Sequence, residues 1–499
     1  MKFIRFAQQK IDAKGDGIVG VITNRWWLEN VTFRGMRQSL LNTFDQIYIF
    51  DLNGEAGLKN DKNVFDITKG VAIAIFVKNS SRPKRYVYRS FIGSRIEKYK
   101  LASLAGVTDK DWVTLSPNTP NYFLVPRSDE GRVLYETFYS TPAIFSIGST
   151  GVLTGNDGIA VFNSQADIVN FLNKIIDEDP IAKKAAGTSF KQKDLPDIAR
   201  IGAMLRSEGV NSELMRSLAY RPFDKRFYYD HDAVIFRRRK KIMSNLNHRI
   251  PALSVCRLTK GEPWCHVFVS DSAADDSFVS DKSKERAYVY PLKISTDESS
   301  AINSKDKLSR HQYQENLAPA FRSFLDAHYD HHYSPEEILG YIYAVLHAPF
   351  YRQRYAEFLR IDFPRIPFAR ARKEFDALAL LGDGLINAHL LRKQKRQGLA
   401  ELKVKGSNVV EAVRYSPQEQ AIYINKTQHF APVPQNVWEF HIGGYQVIDK
   451  YLKSRKTREL SLDEINLVGA IADSLAFTIA QMAKIDVAYQ AAFPLVDKA

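Results

Sequence analysis

The sequence predicts an α/β half-sheet followed by an α+β region that ends in a mainly helical part. Three observations carry this. Helix-period and strand-period patterns alternate through the first 78 residues. Short aromatic, β-rich runs fill the chain from there to about residue 300. Helical patterns dominate 315–400 and the C-terminus.

The first helix, 2–14, reads "KFIRFAQQKIDAK", with Phe3, Ile4, Ala7 and Ile11 at helical spacing. Strand 18–23 follows, its "IVGVIT" a short β-branched run of buried-strand character, then helix 33–42 and strands 46–51 and 71–77. "FDQIYIFDL" and "GVAIAIFVK" are nearly continuous apolar runs, as in strands buried on both faces. The polar, Gly-containing stretch between them is long enough to be a functional loop. A complete doubly wound sheet needs two βαβ halves, so the first domain reads as truncated at its N-terminus, its missing part lying before Met1. "NSSRPKR" (79–85) reads as a linker. Beyond it come runs such as "RYVYRSFIG", "ALSVCRL" and "CHVFVS", with helical patches "ADIVNFLNKII" and "IARIGAMLRSEG". "PEEILGYIYAVLHAPFYRQRYAEFL" is the clearest amphipathic helix, and Ser461 with Glu464 forms a capping box for the last one. These patterns divide the chain at 1–100, 101–310 and 311–499.

Gly15, Gly17 and Gly20 form a G-x-G-x-x-G. That pattern holds phosphates only where it follows a strand and opens a helix. Here it follows a helix and opens a strand, so the glycines read as a helix C-terminus.

A chain of 499 residues expects two or three domains. Two cysteines, Cys256 and Cys265, suit a reducing cytoplasm and exclude a disulfide framework. No eighteen consecutive residues are apolar, so neither membrane span nor membrane partner is expected. With 70 Lys and Arg against 56 Asp and Glu, the formal charge of +14 favours a polyanionic partner, nucleic acid first.

Cys256, Cys265, His266 and His248 lack the paired spacing of a zinc site, and the cysteines sit in apolar strands, where packing accounts for them. No metal site is predicted there. Asp383, Glu401 and Lys403 mimic the acids and lysine of a Mg-dependent nuclease, at looser spacing. No G-x-x-x-x-G-K-[ST] occurs, which argues against an ATP-driven motor. The basic segments are more informative. "YRPFDKRFYYDHDAVIFRRRKK" interleaves Arg221, Arg226, Arg237, Arg238, Arg239, Lys240 and Lys241 with aromatics that include Phe223. Such a mixture neutralises phosphates and packs on sugars or bases. In "GGYQVIDKYLKSRKTR" the turn at Gly444, Tyr445 and Gln446 allows close backbone approach before a cationic helix.

Beyond single motifs, "KFIRFAQQKI…GIVGVITNRWWLENVTFRGMRQSLLNTFDQIYIFDLNG…NVFDITKGVAIAIFVK" resembles the later half of an N6-adenine DNA methyltransferase domain, as in Type ISP (single-polypeptide) restriction–modification enzymes. "YRPFDKRFYYD", "CHVFVSD", "PEEILGYIYAVLHAPFYRQRY" and "WEFHIGGYQVIDKYLKSRKTRELS" resemble the target-recognition region of the same enzymes. The resemblance implies a Rossmann-like methyltransferase half-sheet, an α+β target-recognition domain and double-stranded DNA as partner. It implies Phe65 as a ring stacking on a flipped adenine, beside the alternative that Phe65 is a core residue. Thr23, Asn24 and Arg25, at the carboxyl edge of the sheet, would border that pocket. The family's cofactor loop and Asn/Asp-Pro-Pro-aromatic tetrapeptide do not occur; no Pro-Pro pair exists in the chain. S-adenosylmethionine is therefore expected only with an N-terminal methyltransferase half, and no complete catalytic set is expected here. The alternatives are a DNA-binding specificity module without catalysis, or the Mg-dependent nuclease.

Overall fold

The structure, a computed structural model, describes residues 2–54, 60–103, 111–127, 131–177, 198–246, 250–260, 263–282, 285–296, 313–392 and 396–494. The chain forms two compact units, 1–130 and 131–499. The second holds both the strand-rich and the helical stretches.

In the first unit, helix α1 (Lys2–Lys14) ends where the Gly15 amide donates to the Ile11 carbonyl at 2.9 Å, with Gly15 at φ 94°. The glycines thus close a helix. Next come β1 (Gly17–Asn24), α2 (Arg34–Thr43), β2 (Gln46–Asp51) and β3 (Val71–Lys78). The segment 79–85 is no domain linker: it turns the chain back into β4 (Arg85–Ser90), and α3 (Arg95–Ser103) and β5 (Val113–Thr114) follow. The sheet order is β1-β3-β2-β4-β5. β3 runs antiparallel between β1 and β2, which are therefore parallel to each other, and β4 runs parallel to β2. Two expectations change. β1 is an edge strand that alternates, leaving Ile18 69% and Ile22 54% exposed, so it is not buried on both faces. Of the helical stripe on α1, Ile4 is buried, while Phe3 is 85% exposed.

In the second unit, α4 (Gln165–Ile176) and α5 (Ile198–Glu208) lie close to the hairpin of β6 (Met215–Arg221) and β7 (Asp224–Tyr229). That hairpin is the centre of a four-stranded sheet completed by 273–274 and 161–162. A second sheet is built on β8 (Ala252–Cys256), flanked by β9 (Val267–Ser270) and β10 (Ala287–Pro291). All three are buried along nearly their whole length, which explains their unbroken apolar character.

The long amphipathic stretch is three helices, because Pro349 breaks it: α6 (Pro335–His347), then 349–354 and 356–359. α6 packs backbone to backbone on α7 (Arg372–His389); a Cβ on Gly382 would sit 1.8 Å from the Gly340 carbonyl oxygen. A small antiparallel sheet spans 401–431, followed by α8 (Val447–Lys453) and α9 (Leu462–Ala492). The Ser461–Glu464 capping box at the start of α9 is present. α9 is long and apolar enough to cross a membrane by composition, yet half of its apolar window is buried inside the unit. Its buried Asp473 also pairs with Arg396 at 2.6 Å, as suits a core helix.

Polar groups are sealed into the helical layer. His389 accepts from or donates to the Tyr343 hydroxyl at 2.6 Å and Thr478 Oγ1 at 2.9 Å. Burial, with Arg352 nearby, pushes the His389 imidazole down to about 3. Burial and Arg352 likewise hold His347 well below its ordinary value. The folded protein therefore binds fewer protons than the unfolded chain between pH 6.5 and about 3, and stability falls as pH drops through that window. In urea titrations, His389→Asn is expected to flatten that pH dependence relative to wild type, by at most about 1.4 kcal/mol per pH unit. Identical slopes would show that His389 titrates normally in the folded state.

Candidate nucleic-acid interface

The motif "YRPFDKR" occupies the β6–β7 hairpin. Phe223 takes a left-handed φ of 63° in the turn and buries its ring against Phe268, centroids 5.1 Å apart. Asp224 follows, 2% exposed, and accepts from Arg226 at 2.9 and 3.0 Å and from Arg455 at 2.9 Å. Burial would raise the Asp224 carboxyl, but hydrogen bonds from Arg226 and Arg455 hold it below the ordinary carboxylate range. Arg455 also donates to Glu464 at 2.8 Å, the acid that caps α9. This network joins β7, the end of α8 and the start of α9.

Other arginines are likewise paired within the protein. Arg221 donates through Nη1 to Asp275 at 2.7 Å and stacks 3.7 Å over the Tyr220 ring. Burial pushes the Asp275 carboxyl up to about 6 in spite of Arg221. Arg238 pairs with Asp230 at 2.7 Å and with Asp232 at 3.1 Å.

The "GGYQ" turn also serves the protein itself. A Cβ on Gly443 would meet the Val279 carbonyl oxygen at 1.9 Å, and one on Gly444 would meet Ser280 Oγ at 2.5 Å. The close approach expected here is made by the chain's own backbone: the Gly444 amide donates to Val279 at 3.0 Å. Tyr445, buried, donates to the Ser277 carbonyl at 2.7 Å, and Gln446 donates to the Trp438 carbonyl at 2.8 Å.

Arg237, Arg239, Lys240 and Lys241 differ. Arg237, Lys240 and Lys241 are exposed. Among the described residues none of the four makes an ion pair. Arg239 holds a left-handed φ of 55°, uncommon for a non-glycine residue, with its Nε buried and unpartnered. Burial, with Arg237 and Arg286 as cationic neighbours, pulls the Arg239 guanidinium below its ordinary value. An anion placed there relieves that repulsion. Proximity of Arg286, 47 residues on, had no local signal in the sequence.

In the first unit, Arg25 is bound to buried Asp51 (2.8 Å) and to Glu29 (2.7 Å), and the Thr23 hydroxyl accepts from Trp27 Nε1 at 2.9 Å. Asn24 ends β1 at its edge. Phe65 is 46% exposed, whereas Val64 beside it is buried, so Phe65 is not a core residue. Its loop is braced. Asn63 Oδ1 accepts from the Phe65 amide at 3.0 Å, Tyr99 donates to the Val64 carbonyl at 2.6 Å, and Lys98 pairs with Asp61 in full burial.

No group of three His, Cys, Asp or Glu able to hold a metal exists among the described residues. Asp383 accepts from Asn387 on its own helix, and Glu401 pairs with Lys403 on its own strand, which argues against the nuclease reading. Cys256 and Cys265 are buried and free; His266 pairs with Glu285 at 3.1 Å. His248 lies outside the described residues.

The sequence profile of the Type ISP C-terminal specificity domain matches residues 143–472. The chain belongs to this family. The matched span lies within the second compact unit, which contains both basic motifs. Three solved structures share the fold. The ATP-dependent Type ISP restriction-modification enzyme LlaBIII bound to DNA superposes with a TM-score of 0.75 at 19% identity, covering 97% of this chain and 33% of that one. The DrdV–DNA complex gives 0.74 at 18% identity, covering 97% and 51%. A nuclease-deletion mutant of the Type ISP enzyme LlaGI in complex with a DNA substrate mimic gives 0.69 at 18%, covering 96% and 40%. The chain thus spans a third to a half of the length of these structures. No curated protein sequence matches it.

Paired and unpaired cations predict separable phenotypes. Asp224→Ala removes the acid shared by Arg226 and Arg455, leaving Arg455 only Glu464, and is expected to cost about 3–5 kcal/mol of stability in urea titrations. Combined Arg237→Gln, Lys240→Gln and Lys241→Gln substitutions are expected to leave the melting temperature nearly unchanged. They should lower the log–log salt slope of duplex binding by about 0.9 for each phosphate lost. A triple variant with the wild-type slope would remove these residues from the interface.

Proposed function

We propose that this chain reads DNA sequence for a restriction–modification system, through its specificity domain. The observation that carries the reading is a specificity-family fold in which Arg237, Arg239, Lys240 and Lys241 make no ion pair among the described residues and Arg239 is crowded by Arg237 and Arg286. The DNA-bound state of the similar structures supports the same partner. Phosphate contacts position such a domain, and base edges in the major groove supply the sequence information.

The first unit is proposed to complete the sheet of an N6-adenine methyltransferase. Support comes from β3 running antiparallel between the parallel β1 and β2, as a last hairpin strand would, and from Phe65 standing exposed on a braced loop. An N-terminal methyltransferase half would add its strands at the edge of β1 and its helices over the face that exposes Ile18 and Ile22. S-adenosylmethionine would come with that half. Gly15, Gly17 and Gly20 close a helix and form no cradle for it, so no methyl-transfer step is assigned to the residues of this chain. The chain alone is proposed to bind without methylating.

Selection of duplexes from a randomised pool, at two salt concentrations, tests the reading. Enrichment of one asymmetric motif that survives the higher salt is the expected result. Binding without a motif, collapsing as salt rises, would reduce the domain to a basic surface.

A further inference from the structure

A cavity of about 120 Å³ opens between the β6–β7 turn and α8. Its wall includes Tyr220, Arg221, Tyr445, Lys450, Tyr451 and Ser454. Two of these side chains carry polar atoms that the protein leaves unsatisfied. Tyr451 is 2% exposed, and its hydroxyl has no hydrogen-bond partner. Arg221 is 9% exposed; its Nη1 makes both of its hydrogen bonds, to Asp275 and to the Tyr220 carbonyl, while its Nε is buried without a partner. Buried donors left unpaired are costly and rare, and two lining residues of one cavity each carry one, which favours a ligand that accepts hydrogen bonds. Lys450 stands at the same wall, its Nζ 5.2 Å over the Tyr445 ring and 3.0 Å from exposed Asp281. Asp224 also lines the cavity, but both its oxygens are taken by Arg226 and Arg455. Donors therefore outnumber free acceptors. The volume is enough to admit a tetrahedral oxyanion.

We propose that this cavity is a second anchor for the nucleic acid, seating one backbone phosphate of bound DNA. Arg221 and Tyr451 donate to its oxygens and Lys450 neutralises it. This rests on the DNA-recognition reading and deepens it. The cavity lies between the two segments singled out in the sequence, so Arg221 of one and Lys450 of the other meet at a pocket. A guanidinium held by a carboxylate on one side presents its remaining donors in a fixed fork, the geometry that suits phosphate.

The test uses the full chain with Tyr451→Phe, Lys450→Gln and, as an exposed control of equal charge change, Lys174→Gln. Duplex affinity and salt slope are measured together with melting temperature. If the hydroxyl has no ligand, Tyr451→Phe only removes an unsatisfied group, so stability holds or rises and affinity is unchanged; that result overturns the proposal. The proposal expects Tyr451→Phe to keep its stability and lose about tenfold or more in affinity, and Lys450→Gln to lower the slope by about one while Lys174→Gln does not. Inorganic phosphate is the second probe. Stabilisation of wild type by phosphate with unaltered DNA binding in both cavity variants would assign the cavity to a free phosphate and overturn the DNA assignment. Failure of wild type itself to bind duplex would overturn the DNA reading and this proposal together, whereas normal wild-type binding with unaffected variants overturns the cavity alone.

Discussion

Asp224 is the group on which the specificity domain most depends. Its buried carboxylate holds Arg226 two residues away and Arg455 231 residues away, and Arg455 passes the connection to Glu464 at the head of α9. A buried acid with this many donors is stable only while all of them are present; loss of one partner leaves a charge in a low-dielectric interior. The two most basic stretches of the sequence thus face each other across an acid. That arrangement sets the shape of the cavity between the β6–β7 turn and α8.

This constraint divides the cations into two classes. Arg221, Arg226 and Arg238 are tied to carboxylates, and Phe223, Tyr445 and the Gly443–Gly444 turn pack against the protein's own strands. Arg237, Lys240 and Lys241 remain exposed, and Arg239 is crowded by Arg237 and Arg286. Positive charge is thereby concentrated at Arg237, Arg239, Lys240 and Lys241, which no carboxylate among the described residues pairs, the condition for attracting a polyanion in a salt-dependent way.

Much of the fold was legible in the sequence because it depends on local rules. Helical spacing marked α1 and α2, continuous β-branched runs marked β2 and β3, and Ser461 with Glu464 marked the start of α9. The glycines at 15–20 were readable because their order relative to helix and strand excludes a phosphate loop. Pairings between distant residues were not readable. Composition alone cannot tell Arg226, which is paired inside, from Arg237, which is not, because Asp224 and Arg455 meet only in the fold. The short stretch 79–85 read as a linker because polar turns look alike, whether they leave a sheet or return to it as β4 does. The exposed alternate face of β1 was hidden by its uniformly apolar sequence.

The central claim, that Arg237, Arg239, Lys240 and Lys241 meet DNA, is tested most directly by lysine acetylation footprinting of the full chain with and without a selected duplex. Protection of Lys240 and Lys241 is predicted, with unchanged reactivity at Lys293, which is paired with Glu336. Unaltered reactivity at Lys240 and Lys241 in a saturated complex would contradict the account.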